Sequence, residues 1–150
     1  MSRGDHDKMV YQLFIGSLLT LGTIVIATMS WWALETLLIR LRAWSVRPPH
    51  GPKLVAVLSL SLVWTLTMMI SSVLLWAISL YWLNIFESLE ESVYFALVAF
   101  TTLGFGDILL PQNWRLLGGM SAANGLLMFG LLTAIHVEIL RDTRARQRRG

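Results

Sequence analysis

Long apolar stretches alternate with short polar stretches along this chain. Three apolar stretches, at 10–34, 54–84 and 114–140, contain few or no charged side chains. Each is at least as long as the roughly 20 apolar residues that a helix needs to cross a bilayer. The first is too long for the core of a signal peptide, and no small-residue cleavage pattern follows it. The pattern therefore predicts an all-α membrane protein with three transmembrane helices.

The charged residues lie mainly in the connections between these stretches. Segment 42–53, RAWSVRPPHGPK, contains three prolines and several basic residues, so we expect it to break the chain between the first two helices. The tail at 141–150 carries five arginines, whereas an acidic patch lies at 87–91. Short loops rich in Lys and Arg stay in the cytoplasm. This rule predicts an N-terminus outside the cell and a cytoplasmic C-terminus.

Composition favours lipid over water as the main solvent. Hydrophobic residues make up 55% of the chain and charged residues 14%, against about a quarter charged in soluble domains. The absence of cysteine excludes disulfides and thiolate metal sites. A net charge of +3 is too small to suggest nucleic acid as a partner. No catalytic motif is present, so we expect neither an enzyme, nor a cofactor, nor an appended soluble regulatory domain.

A fourth apolar segment, at 91–100, is too short to cross the membrane and precedes the sequence TTLGFGD at 101–107. Irregular backbone at membrane depth must be buried in protein or line a water-filled cavity. Gly104 and Gly106 can adopt positive φ at little cost. Alternating with other residues, they let successive carbonyls point the same way. Symmetry-related copies could then surround a monovalent cation with neutral oxygens.

This motif resembles the potassium-channel signature T-[VIL]-G-[YF]-G-D. The resemblance implies a pore module at 54–140, with an outer helix at 54–84, a re-entrant pore helix at 91–100, a selectivity filter at 101–107 and an inner helix at 114–140. It also implies a homotetramer in contact with membrane lipids, with K⁺ as the permeant ion. Segments 1–53 and 141–150 flank the module. Residues 114–134 are similar to small bacterial channel-like membrane proteins, which implies the inner membrane of a prokaryote.

The resemblance assigns roles to individual residues of the motif. Five residues would bind K⁺ through their backbone carbonyl groups: Thr102, Leu103, Gly104, Phe105 and Gly106. The Thr102 hydroxyl would be a further ligand, and the K⁺ sites would lie chiefly from Thr102 to Phe105. The Leu103 and Phe105 side chains would point outward against the pore helix. The residues assigned to filter support are Thr101, Asp107, Phe95 and Val98. Phe95, Val98 and Phe105 replace residues that often make polar contacts in the family. We therefore expect the filter to be supported mainly by packing.

The third span contains small and polar residues with more than one possible role. Gly125 and Gly130 can allow close helix packing, or Gly125 can act as a gating hinge. Ser121 and Asn124 can face a water-filled cavity, or can form interhelical hydrogen bonds. Met128 is a further candidate for the cavity or gate.

Residues elsewhere in the spans have structural interpretations. His136 is expected to be solvated at the membrane interface, Trp64 to pack, and Asn113 to cap the third span. The hydroxyl groups of 54–84 are expected to bond to carbonyls of their own helix.

Two other functions are compatible with such a chain. One is a subunit of a potassium transporter related to these pores, although such transporters usually carry four loops in one longer chain. The other is a membrane interaction protein that keeps the pore fold without conducting. No voltage-sensing helix is indicated, because the arginines do not recur at every third position within an apolar span.

Overall fold

Three long helices and one short helix make up the fold. The computed structural model describes residues 3–45 and 49–147. The helices are α1 at Arg3–Ser45, α2 at His50–Trp82, α3 at Leu89–Phe100 and α4 at Arg115–Gln147, and a 3₁₀ turn at Gln112–Trp114 precedes α4. No strand occurs in the two described ranges. Because α1, α2 and α4 are each long and apolar enough to cross a membrane, the predicted all-α fold with three spans is confirmed.

The long helices extend beyond the apolar stretches that predict them. α1 continues to Ser45 and α2 already begins at His50, so the predicted break at 42–53 is wrong at both ends. Pro52 fits the first turn of α2, where backbone N–H groups need no partner within the helix. α4 continues to Gln147, so most of the basic tail is helical. Residues 1–2, 46–48 and 148–150, which include Arg47, Arg148 and Arg149 of the basic segments, lie outside the described residues.

The ends of the shorter elements are set by local hydrogen bonds. Ser88 caps α3, because its Oγ accepts a hydrogen bond from the Glu91 N–H at 3.1 Å. Glu90 and Glu91 then lie in the first turn of α3, where acidic groups interact favourably with the helix dipole. The predicted cap at Asn113 is wrong, because Asn113 lies within the 3₁₀ turn. The residue that precedes this turn is Pro111, whose side chain forms no capping hydrogen bond.

The main core lies where all four helices meet. Its buried side chains include Trp76 of α2, Phe100 of α3, and Leu117 and Met128 of α4, with Ala27 contributed by α1. A smaller cluster of Leu34, Val57 and Ile139 lies nearer the other end of the long helices. Many large apolar side chains on the outer faces of the helices are exposed. Such exposure suits helices that face lipid.

Polar groups within the spans are mostly bonded inside the protein. Five hydroxyl groups of α2 donate to carbonyls of their own helix, as expected: Ser61, Thr65, Thr67, Ser71 and Ser79. The expectation is wrong for Ser72, whose Oγ is buried without a hydrogen-bond partner.

Two further polar contacts join α2 to the other long helices. Trp64 Nε1 donates to Ser30 Oγ at 2.6 Å, which links α2 to α1. His136 Nε2 lies 3.4 Å from Thr65 Oγ1 and its Nδ1 lies 2.9 Å from the Leu132 carbonyl oxygen. His136 therefore lies between α4 and α2 and is half-buried, and its solvation at the membrane interface stays a prediction.

Candidate functional site

The C-terminal end of α3 turns directly into the TTLGFGD segment. The Thr102 N–H donates to the Ala99 carbonyl at 2.9 Å, and the Leu103 N–H donates to the Val98 carbonyl at 3.0 Å. This pair of bonds is the Schellman arrangement that often ends a helix. Its central residue needs a left-handed backbone and is usually glycine, yet Thr102 adopts φ 57° there. A β-branched residue in this conformation costs on the order of 1–2 kcal/mol.

The sign of φ alternates along the segment that follows. Thr102, Gly104 and Gly106 have φ values of 57°, 59° and 79°, whereas Leu103 and Phe105 do not have positive φ. The positive φ of both glycines was expected from the sequence, but that of Thr102 was not. Neither a helix nor a strand alternates in this way. Alternation turns successive peptide planes so that their carbonyl groups can face a common side.

This segment makes few contacts within its own chain. The Leu103 and Phe105 side chains are 58% and 66% exposed. A Cβ placed on Gly104 or Gly106 would meet no atom within 4 Å. The described residues offer no hydrogen-bond partner to the backbone N–H groups of 104–106. Both side chains are therefore largely uncovered within one chain, and their packing against the pore helix stays a prediction.

Asp107 has a polar partner that the sequence analysis missed. The Tyr94 hydroxyl donates to Asp107 Oδ2 at 2.6 Å and so ties the end of the segment back to α3. The Tyr94 bond is the main cause that lowers the pKa of Asp107, and the same bond raises the pKa of Tyr94. The expectation that support comes mainly from packing is thus wrong at this point. A signal was present, because Tyr94 lies one helical turn before Val98 on the same face of α3.

The other predicted support residues act through packing and backbone groups. The Phe95 ring packs against Phe86 with centroids 5.3 Å apart. Val98 contributes its carbonyl oxygen to the turn. Thr101 Oγ1 donates back to the Leu97 carbonyl at 2.8 Å. None of these side chains supplies a polar bond to the glycine-containing segment in the described chain.

Gly125 brings α4 into close contact with the end of α3. A Cβ at Gly125 would lie 1.9 Å from the Phe100 carbonyl oxygen, closer than any real contact, so only glycine fits this crossing. A Cβ at Gly130 would meet nothing within 4 Å. Of the two interpretations of Gly125, the structure provides direct evidence for close packing.

The predicted cavity residues of α4 are buried within a single chain. Ser121, Asn124 and Met128 are each at most 2% exposed. Asn124 Oδ1 accepts a hydrogen bond from Thr23 Oγ1 of α1 at 2.8 Å. The interhelical alternative therefore describes Asn124. Met128 belongs to the main core rather than to an open cavity.

An acidic depression lies beside the start of α3 and Asp107. Its volume is about 430 Å³, and its lining includes Glu87, Glu90, Glu91, Tyr94 and Asp107. In the part of the chain that the structure describes, no group of His, Cys, Asp or Glu has the geometry of a metal site. Carboxylates that are spread in this way attract cations without coordinating a particular one.

Comparison with known families agrees with this geometry. A family model described as an ion channel matches residues 68–142, which is half of the 150-residue chain. The chain belongs to this ion channel family. The match includes the C-terminal part of α2 from residue 68, all of α3, the TTLGFGD segment and most of α4. Membership indicates a membrane-embedded protein of a kind that is generally oligomeric. No curated protein and no solved structure matches the chain.

Proposed function

We propose that this ion channel protein is a potassium-selective subunit that conducts K⁺ passively down its electrochemical gradient. The single observation that carries the proposal is the alternating sign of φ from Thr102 to Gly106. A backbone of this form can present a row of neutral carbonyl oxygens. Such oxygens replace the hydration shell of K⁺ and release the ion again. In this proposal the bound ions contact carbonyls from Thr102 to Gly106 and the Thr102 hydroxyl.

The unpaired backbone of this segment favours an assembly over a single chain. At membrane depth, backbone groups without a partner cost several kcal/mol each unless water or protein covers them. One chain leaves the 104–106 backbone uncovered and the Phe105 side chain exposed. Further copies would cover the Leu103 and Phe105 side chains and complete each ring of oxygens. A homotetramer with α3 as a re-entrant pore helix satisfies both needs.

The proposed placement in the membrane follows from the distribution of charge. The acidic depression and Asp107 would face the outside of the cell, and the arginines of the α4 end would lie in the cytoplasm. K⁺ would then enter from an acidic outer mouth. The N-terminus would be outside and the membrane a prokaryotic inner membrane.

Flux measurements on purified protein in liposomes test the proposal. We expect K⁺ flux that Ba²⁺ blocks and that exceeds Na⁺ flux. Gly104→Ala should abolish it, because alanine at φ 59° is strained and would tilt the carbonyls. Gly130→Ala is the matched control, since the residue is helical and has open space around it. K⁺ flux that persists in Gly104→Ala would contradict the filter assignment. An absence of flux in the natural protein would favour a non-conducting role, and ion-coupled flux would favour a transporter subunit.

A further inference from the structure

The helix α1 packs along the half of α4 that lies nearest the TTLGFGD segment. Gln12 of α1 is 7% exposed, and its Oε1 accepts a hydrogen bond from the Leu117 N–H at 3.4 Å. One turn further along α1, Gly16 lies directly beneath Met120, where an added Cβ would come within 2.4 Å of the sulfur. These contacts place α1 directly against the first two turns of α4.

The next contact along this interface is a buried hydrogen bond. Thr23 is fully buried, and its Oγ1 lies 2.8 Å from Asn124 Oδ1 and 2.7 Å from the Thr20 carbonyl oxygen, so its one hydroxyl proton is shared between these two acceptors. The other amide atom, Asn124 Nδ2, is buried without a partner. Thr23 is thus the one partner of the Asn124 amide among the described residues. Removing its hydroxyl would leave the buried Asn124 amide without a hydrogen-bond partner, which favours a rotation or shift of α4.

The residue after Asn124 connects this bond to the candidate filter. Gly125 faces the Phe100 carbonyl so closely that an added Cβ would lie 1.9 Å from the oxygen. Phe100 is the last residue of α3, and the Schellman turn formed by Thr102 and Leu103 follows it. Interiors that are packed this closely transmit a shift rather than absorb it. A movement of α4 at Asn124 must therefore displace the end of α3.

We propose that Thr23 of α1 is a positioning residue for the selectivity filter, acting through Asn124 and the contact between Gly125 and Phe100. This inference rests on the proposed potassium-channel function for its effect on selectivity. Its structural part, that Thr23 fixes the end of α3, stands independently of conduction. The helix α1 lies outside the module of outer helix, pore helix and inner helix. Through Thr23, α1 would take part in ion selection.

The test compares three substitutions in the assembled full-length protein. Thr23→Val keeps the shape of the side chain but lacks the hydroxyl, and Thr23→Ser keeps the hydroxyl. Ser30→Ala is the matched control, because it removes the acceptor of the Trp64 Nε1 bond between α1 and α2, away from α3. If Thr23→Val does not assemble, Thr23→Ala removes the same hydroxyl with a smaller side chain.

Two readouts are taken on each protein. The first is hydrogen–deuterium exchange at the Thr101, Thr102 and Leu103 amides, which donate to α3 carbonyls. The second is the K⁺ over Na⁺ flux ratio in liposomes. We expect Thr23→Val to speed exchange at these amides about tenfold, the factor that corresponds to one buried hydrogen bond, and to lower the flux ratio. Thr23→Ser and Ser30→Ala should leave both readouts close to those of the natural protein.

The outcomes separate the inference from the proposed function. Equal exchange in Thr23→Val and the natural protein, or equal acceleration in Thr23→Val and Ser30→Ala, overturns the inference. If the natural protein carries no K⁺, the proposed function fails, and the exchange comparison still decides whether Thr23 positions the end of α3. Altered exchange with an unchanged flux ratio overturns the effect on selectivity.

Discussion

The contact between Gly125 and Phe100 gives the sharpest test of the packing around the proposed filter. In Gly125→Ala the new Cβ would start 1.9 Å from the Phe100 carbonyl oxygen and 2.6 Å from its carbon. Because a normal C···O contact needs about 3.3 Å, the two helices must separate locally by about 1.4 Å. Overpacking of this kind typically costs about 1–3 kcal/mol, against a gain of up to about 1 kcal/mol from replacing a helical glycine by alanine. The expected net effect is destabilisation.

Gly130→Ala on the same helix is the matched control for this prediction. It gains the same helix propensity with no atom near the new Cβ. We therefore expect the two variants to change stability in opposite directions. Unfolding in mixtures of detergent and SDS, followed by tryptophan fluorescence, measures both free energies. If Gly125→Ala unfolds at the same or a higher SDS fraction than Gly130→Ala, the close contact is not present and the reasoning is refuted.

Two further predictions concern the ends of the proposed filter. Tyr94→Phe removes the bond that lowers the pKa of Asp107, so K⁺ flux should fall and its loss on acidification should begin at a higher pH, nearer the ordinary Asp value of about 3.9. The sign follows from linkage: a carboxyl whose folded pKa is depressed contributes stability above its unfolded pKa, and that stability is lost as pH falls. A flux profile between pH 3 and 7 that matches the natural protein would contradict this role. Thr102→Gly should relieve about 1 kcal/mol of backbone strain and raise thermal stability, while weakening K⁺ binding because the hydroxyl is lost. Calorimetric titration with K⁺ checks the second effect, and unchanged affinity would exclude Thr102 Oγ1 as a ligand.

Much of the fold could be predicted from the order of residues along the chain. The spans followed from the length of the apolar stretches, and the positive φ of Gly104 and Gly106 followed from their spacing within the motif. These features depend on neighbours within a few residues. The failure at Asn113 is also local, because Pro111 has already fixed the backbone where the 3₁₀ turn begins.

The features that the sequence could not provide are contacts between distant residues. The Thr23 to Asn124 bond joins residues far apart in the chain, and many other polar residues of the spans could have been paired instead. Tyr94 and Asp107 are closer, but their bond depends on the sharp turn at Thr102, where a threonine occupies a position usually held by glycine. Hydropathy carries no information about these pairings, and the helical spacing of Tyr94 and Val98 makes Tyr94 a candidate partner without fixing the bond. They depend on the angle and depth at which the helices cross.

A density map of the assembled protein in K⁺ tests the central claim most directly. We expect four copies around one axis, with the carbonyl oxygens of 102–106 facing that axis and K⁺ density between their layers. Tyr94 and Asp107 should remain bonded in each copy. A map in which this segment lies away from the axis, or in which the axis holds no ion beside it, would contradict the account.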